Sequence, residues 1–197
     1  MEQETLYTSS KWSILKALEL GSKSPLDLAR EANTSLANVS QQLRLLELAG
    51  IVKSERIPNR DKGQPRIVYS LAGNNSYILV TAPEFVEKKN LILQTYQMEI
   101  MKIWFCDDVS LQYYFEKFYW ENEEKFSKLK ILAFDYTDSQ NIKVLVNEDL
   151  EDTLSDKKSK KEYKVSGPQG EKRFIITIVK SLSNENKKLL KLRNEEV

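Results

Sequence analysis

Histidine is absent from this chain of 197 residues, and cysteine occurs once, at Cys106. An intrachain disulfide is therefore impossible, and so are imidazole or paired-thiolate metal sites and any nucleophile activated by histidine. Only six glycines are present, and none fall in the spacing of a dinucleotide-binding or phosphate-binding loop. No apolar run reaches the length of a membrane span, and no signal-like segment opens the chain. The expectation is a cytoplasmic protein with no membrane partner. Charge of one sign is also lacking: 30 Lys and Arg stand against 29 Asp and Glu, a net +1. The whole chain is thus no general electrostatic binder of nucleic acid, and any such partner must be met by a local patch.

Such a patch exists. The stretch Ser24 to Leu71 reads SPLDLAREANTSLANVSQQLRLLELAGIVKSERIPNRDKGQPRIVYSL. Ser24 before Pro25 is a helix start, with Asp27 at the third position to meet the helix dipole. Leu28 and Ala32 give a short apolar stripe, and Asn33 tolerates the left-handed backbone of a tight turn. Ser35 caps a second helix, whose apolar positions Leu36, Val39, Leu43 and Leu46 keep helical spacing until Gly50 ends it. Two short helices joined so tightly form a helix-turn-helix. Ile51 to Arg56 and Arg66 to Leu71 read as two strands around a turn-rich tip. Between Val52 and Arg66, five basic residues face two acidic ones, a local excess of three.

The second helix carries a polar face: Asn38, Ser40, Gln41, Gln42 and Arg44, with small Ala37 permitting close approach. Amide side chains suit adenine edges in a major groove. Basic side chains in the hairpin, Arg56, Arg60, Lys62 and Arg66, suit phosphate or a minor groove. The bland reading is a solvated helix face beside a solvated loop; the order helix, helix, hairpin favours recognition.

These residues resemble the ArsR-like winged-helix regulators, especially the archaeal kind. The matching features are the Ser-Pro-Leu-Asp-Leu-Ala entry, Val39 to Leu43 followed by Leu46 to Val52, and the wing ending Gly63 to Leu71. The likeness covers about the first 80 residues. It implies a recognition surface at Leu36 to Gln42 and wing contacts near Arg60 to Arg66; taken with the residue types, the expected DNA contacts are Ser35, Leu36, Ala37, Asn38, Ser40, Gln41, Gln42 and Arg44, with Arg56, Arg60, Lys62, Gln64 and Arg66 of the wing. Many such relatives sense metals through paired Cys or His ligands, a set that one cysteine and no histidine cannot form, so no metal or other cofactor is expected and the sequence names no effector.

Ahead of this block, Ser9 or Ser10 starts a helix to about Leu20, with Trp12, Ile14, Leu15 and Leu18 as its core side. After it, Tyr77 to Thr81 is a third strand or extended link, and a domain boundary is expected near 82. From about Glu84 the pattern reads as helix, with Leu93, Tyr96, Ile100 and Trp104 at near-heptad spacing; pairing of two copies is assigned to that stripe, against the alternative of an intrachain core helix. A second helix follows Asp107-Asp108 and is dense in aromatics from Tyr113 to Phe126, read as core because Glu121, Glu123 and Glu124 oppose nucleic-acid stacking. Strands are expected at Leu129 to Phe134, Ile142 to Val146, Tyr163 to Val165 and Arg173 to Val179. A short helix at Glu148 to Leu154, a lysine-rich loop at Asp156 to Lys161 and a final helix from Ser183 complete the reading.

The expected fold class is α+β: residues 1–82 a winged helix-turn-helix, residues 83–197 a helical dimerisation segment with a small sheet. The expected function is a homodimeric double-stranded-DNA-binding transcription regulator, repressing by occupancy. Two other readings stay open. One is a protein-binding winged helix in a larger assembly. The other is a relative of nucleotidyltransferases, weakly similar over Lys130 to Val146, with Asn141 and Lys143 where metal-binding carboxylates would fall; lysine there repels Mg²⁺, so an inactive sensor rather than an enzyme is implied.

Overall fold

The computed structural model describes residues 7–58, 66–147, 162–182 and 188–194. The chain divides into two units, Met1–Leu93 and Gln94–Val197.

In the first unit, α1 (Ser9–Leu18), α2 (Pro25–Glu31) and α3 (Leu36–Leu48) precede β1 (Val52–Ile57) and β2 (Arg66–Leu71). Ser24 and Ser35 cap their helices through the Asp27 and Asn38 amides. Asn33 holds φ at 49° in the turn between α2 and α3, and Gly50 ends α3 at φ 72°, a left-handed value that suits residues without a bulky branched side chain. Ile14, Leu18, Leu28, Val39, Leu43, Leu46 and Val52 close one core. Trp12 is not in it. The indole is 53% exposed, because the inward positions of α1 are Lys11, Ile14 and Leu18. Leu36 likewise lies outside the apolar stripe, on the exposed side of the first helical turn. β1 and β2 pair antiparallel from Val52↔Leu71 to Ile57↔Arg66, and Lys23 bridges to Tyr69 through two backbone hydrogen bonds of 2.9 and 2.8 Å.

A second hairpin completes this unit: β3 (Asn75–Ala82) and β4 (Phe85–Ile92), paired from Asn75↔Ile92 to Ala82↔Phe85. The helix expected from Glu84 therefore starts only at Thr95. Pro83 cannot continue β3, and Glu84 at φ 66° reverses the chain. Phe85 to Ile92 then gains eight cross-strand partners that its local pattern does not reveal. The boundary expected near 82 falls at the turn of this hairpin.

In the second unit, α4 (Thr95–Trp104), α5 (Val109–Glu121) and α6 (Glu123–Phe126) cover a five-stranded sheet ordered β7-β8-β6-β5-β9. Its strands are β5 (Ile131–Asp135), β6 (Asn141–Val146), β7 (Glu162–Gly167), β8 (Gly170–Ile178) and β9 (Leu189–Asn194). Neighbours are antiparallel except β6 and β8, which run parallel with Ile142 beside Phe174. The final helix expected from Ser183 is corrected over Leu189 to Asn194: that segment is an edge strand on β5, with Leu192 in the core. Residues 183–187, the short helix at 148–154 and the lysine loop at 156–161 lie outside the described residues.

Of the α5 aromatics, Tyr114, Phe115, Phe118 and Tyr119 are core, whereas Tyr113 and Trp120 lie at the surface. Phe115 stacks on Phe134 at 4.8 Å and Phe118 on Phe174 at 4.3 Å. Tyr114 donates to the Gly170 carbonyl at 3.1 Å and accepts from the Gln169 amide at 2.7 Å, so α5 clamps the β7–β8 turn. A Cβ on Gly167 would lie 2.6 Å from the Tyr114 ring, which explains glycine there.

Candidate nucleic-acid interface

Helical geometry sorts the polar residues of α3 by direction. Val39, Leu43 and Leu46 point into the core. Opposite them, about 140–200° round the helix from Val39, stand Ala37, Gln41 and Arg44, with Ser40 at their margin. All four are exposed. Asn38 and Gln42 lie on a flank and are half-buried. Their amide nitrogens are already engaged: Asn38 Nδ2 donates to Thr34 Oγ1 at 2.9 Å, and Gln42 Nε2 donates to Asn38 Oδ1 at 3.1 Å. This ladder runs along the i, i+4 spacing Thr34, Asn38, Gln42. Its members differ from Gln41 and Arg44, whose side chains point away from the domain. Ser40 Oγ turns back to the Leu36 carbonyl at 2.8 Å.

The start of α3 is free of acidic residues, and Ser35 consumes the Asn38 amide. The positive end of the helix dipole is thus unopposed beside exposed Leu36 and Ala37. The other end of α3 is tied to the hairpin. Glu47 Oε1 accepts from the Ser54 amide at 3.2 Å and from the Ser54 hydroxyl at 2.6 Å. The Ala72 amide donates to the Ile51 carbonyl at 2.9 Å, closing the hairpin base. Arg56 and Arg66 sit near the far end of the hairpin, exposed, on opposite faces, since Arg56 pairs with Ile67 and Arg66 with Ile57. Arg60, Lys62 and Gln64 lie outside the described residues. Asp27 is held below the usual carboxylate range, chiefly by its hydrogen bond from Ser24, with smaller help from Arg30 and Arg66.

Thr34, Glu47 and Lys23 escaped the reading of residue types alone. The i, i+4 spacing of Thr34, Asn38 and Gln42 was the available signal for the first. Glu47 reaches Ser54 only after the chain turns at Gly50, and Lys23 forms an ion pair with Glu31 at 2.6 Å while its backbone bridges to β2.

The four residues assigned to pairing separate. Leu93 and Ile100 are each 6% exposed, Ile100 in the core of the second unit, while Tyr96 and Trp104 are at the surface. In the second unit, the most polar buried group is a pair on α4 and β9. Arg193 meets Glu99 Oε1 through Nε and Nη2, both at 2.7 Å, and Tyr119 donates to Glu99 Oε2 at 2.6 Å. Arg193 Nη1 also donates to the Phe126 and Leu129 carbonyls, so it satisfies the end of α6. A cavity of about 390 Å³ beside it is lined by Gln94, Thr95, Tyr96, Tyr119, Glu123, Ser127 and Arg193. In the β5–β6 turn, Asp135 and Asp138 accept hydrogen bonds from Thr137, Gln140 and Asn141, and Lys143 is exposed on β6. Among the described residues no cluster of three acidic or cysteine side chains could hold a metal, and no helix is long and apolar enough to cross a membrane.

Residues 13–55, from the middle of α1 into β1, match the family model described as a helix-turn-helix domain. Comparison of the chain with curated proteins gives no match. The chain therefore carries an N-terminal helix-turn-helix domain joined to an α+β unit, and that domain supports DNA as a partner and regulation of transcription as a role.

Proposed function

We propose that the protein is a sequence-specific, double-stranded-DNA-binding transcription regulator of the ArsR-like winged-helix type. It acts in the cytoplasm as a homodimer and represses by occupying its operator. One observation carries the reading. Within the matched helix-turn-helix segment, α3 turns Ala37, Gln41 and Arg44 outward beside a hairpin that Glu47 locks to its end. A major groove admits such a helix, and Gln41 and Arg44 have the chemistry to bond adenine and guanine edges. Leu36 packs on a thymine methyl or sugar, and Ser35 and Ser40 approach phosphates at the entry of α3. Asn38 and Gln42 fix that helix surface rather than read it. Arg56 and Arg66 lead toward the wing tip, where Arg60, Lys62 and Gln64 grip backbone or minor groove.

Two copies supply the affinity that one small module lacks, reading half-sites about one helical turn apart. The test is selection of bound duplexes from a random pool at two salt concentrations. An enriched inverted repeat is expected. Uniform, strongly salt-sensitive binding would replace specific regulation by an architectural role, and no binding would move the domain to the protein-interaction class.

A further inference from the structure

We propose that the β3–β4 hairpin is the pairing arm of the dimer: β4 joins β4 of a second copy across a two-fold axis through Lys88, making one four-stranded antiparallel sheet. This rests on the homodimer in the reading above.

The hairpin is built like half of a larger object. Two strands alone are marginal in water, and three or more are needed for stability. Among the described residues neither outer edge has a neighbouring strand. The two edges differ. On β3, Tyr77 stacks on Tyr7 at 5.6 Å, and Asn75 to Ile78 and Val80 are half-buried. On β4, every residue but Leu91 is exposed, including Phe85 at 55%, Val86 at 70% and Ile92 at 83%. Exposed apolar residues along an unpaired edge mark a place for another strand.

The sequence of β4 states which strand. A two-fold axis normal to a sheet pairs a strand with itself about one central residue, because opposed side chains must share a face. With Lys88 central, Glu87 stands opposite the partner's Lys89, Phe85 opposite the partner's Leu91, and Val86 opposite the partner's Asn90. Each pair recurs on the other side of the axis. One face thus reads Phe–Leu, Glu–Lys, Lys–Glu, Leu–Phe. Moving the centre to Glu87 sets Glu87 against its own copy and Phe85 against the partner's Lys89. Moving it to Lys89 sets Glu87 against the partner's Leu91. Lysines on an edge normally prevent pairing; here they select a single register, at the cost of one like-charge contact between the two Lys88 side chains. β3 holds no charged residue and selects none.

The experiment uses the full chain without DNA, so loss of operator binding and loss of this interface are read separately. Sedimentation gives the oligomeric state, and variants with one introduced cysteine map the axis over a parent whose own cysteine, Cys106, is buried. Lys88→Cys is expected to yield a disulfide-linked dimer on mild oxidation, since paired Cα atoms lie about 4.5–5.5 Å apart. Lys89→Cys is expected to cross-link poorly with itself, its two copies being about 8 Å apart, and well with Glu87→Cys when the two variants are mixed. Glu87→Lys and Lys89→Glu are each expected to raise the dimer dissociation constant about tenfold, by turning two attractive contacts repulsive, and the combined swap to restore it. A monomer at all concentrations overturns the proposal. So does a dimer in which Lys88→Cys gains no advantage over Lys89→Cys, or one indifferent to the charge swap; pairing would then lie elsewhere, as on the Tyr96 and Trp104 side of α4.

Discussion

Replacing Arg193 with leucine removes one side chain and disables two connections. Glu99 is 2% exposed at its side chain and Arg193 is 11% exposed, so water replaces little of what is lost. Of its hydrogen bonds Glu99 would keep only that from the Tyr119 hydroxyl, with Lys102 as its remaining nearby cation, while the Phe126 and Leu129 carbonyls would lose their guanidinium donor. Breaking a buried pair from one side costs about 3–5 kcal/mol, because the surviving charge is left in a poorly hydrated place. With a urea slope of about 1.5 kcal/mol/M, the midpoint for the second unit should fall by about 2–3 M. The assay is urea unfolding followed by Trp104 and Trp120 fluorescence in a Trp12→Phe background; Trp12 is half-exposed and belongs to the first unit, so the remaining signal reports the second. Leucine at both Glu99 and Arg193 removes the stranded charge but still takes the guanidinium from the Leu129 carbonyl and leaves the Tyr119 hydroxyl without Glu99, while the Phe126 carbonyl keeps the Leu129 amide at 3.1 Å. It should fall only about 1–3 kcal/mol below the parent. A single variant that loses less than the double one, or less than about 1 kcal/mol, would refute the claim that charge pairing rather than packing holds β9 to α4.

Gln41→Ala should relax base preference by about 1–3 kcal/mol at one operator position, whereas Gln42→Ala should leave the preference pattern unchanged, because its amide is spent on Asn38; a selection experiment on both variants decides this. Gly167→Ala should lower the stability of the second unit by about 1–3 kcal/mol, since the methyl group meets the Tyr114 ring, and the same urea assay reads it. Burial raises the Tyr119 and Tyr136 hydroxyls in the folded chain, that of Tyr136 to about 12. Unfolded tyrosines ionise first, near about pH 10, so stability is full below that value and falls as pH climbs above it. Tyr119→Phe and Tyr136→Phe should each flatten that alkaline decline in thermal melts.

The helix-turn-helix was legible because its determinants are local. Ser24, Pro25, Asn33, Ser35 and Gly50 each act within a few residues, and the stripe Val39, Leu43, Leu46 names its own inner face. The inner face also names the outer one, so exposed Ala37, Gln41 and Arg44 follow from periodicity. Residue type alone placed Gln42 beside Gln41 as an equal. One helical step of about 100° separates them, and it carries Gln42 to the flank where Thr34 and Asn38 begin a hydrogen-bonded ladder.

What failed to show was strand pairing, one case across a tight turn and one at a distance. Leu189 to Asn194 is a strand because distant β5 lies beside it, and Phe85 to Ile92 is one because the two-residue turn at Pro83 and Glu84 folds it back on β3. The misread helix has a specific cause. Leu91, Ile92 and Leu93 end a hairpin of the first unit, and Ile100 and Ile103 open the core of the second. Run together across Gln94, they imitate the spacing of one long amphipathic helix. The Gln94 amide, which donates to Gln97 Oε1 at 2.8 Å, marks where the helix starts. Ile92 is 83% exposed on the hairpin while Ile100 and Ile103 are buried on α4, so these residues form no continuous face. Once the helix is shortened to Thr95, the unabsorbed apolar surface belongs to β4, and a strand whose Glu87 and Lys89 mirror each other about Lys88 has a natural partner in its own copy.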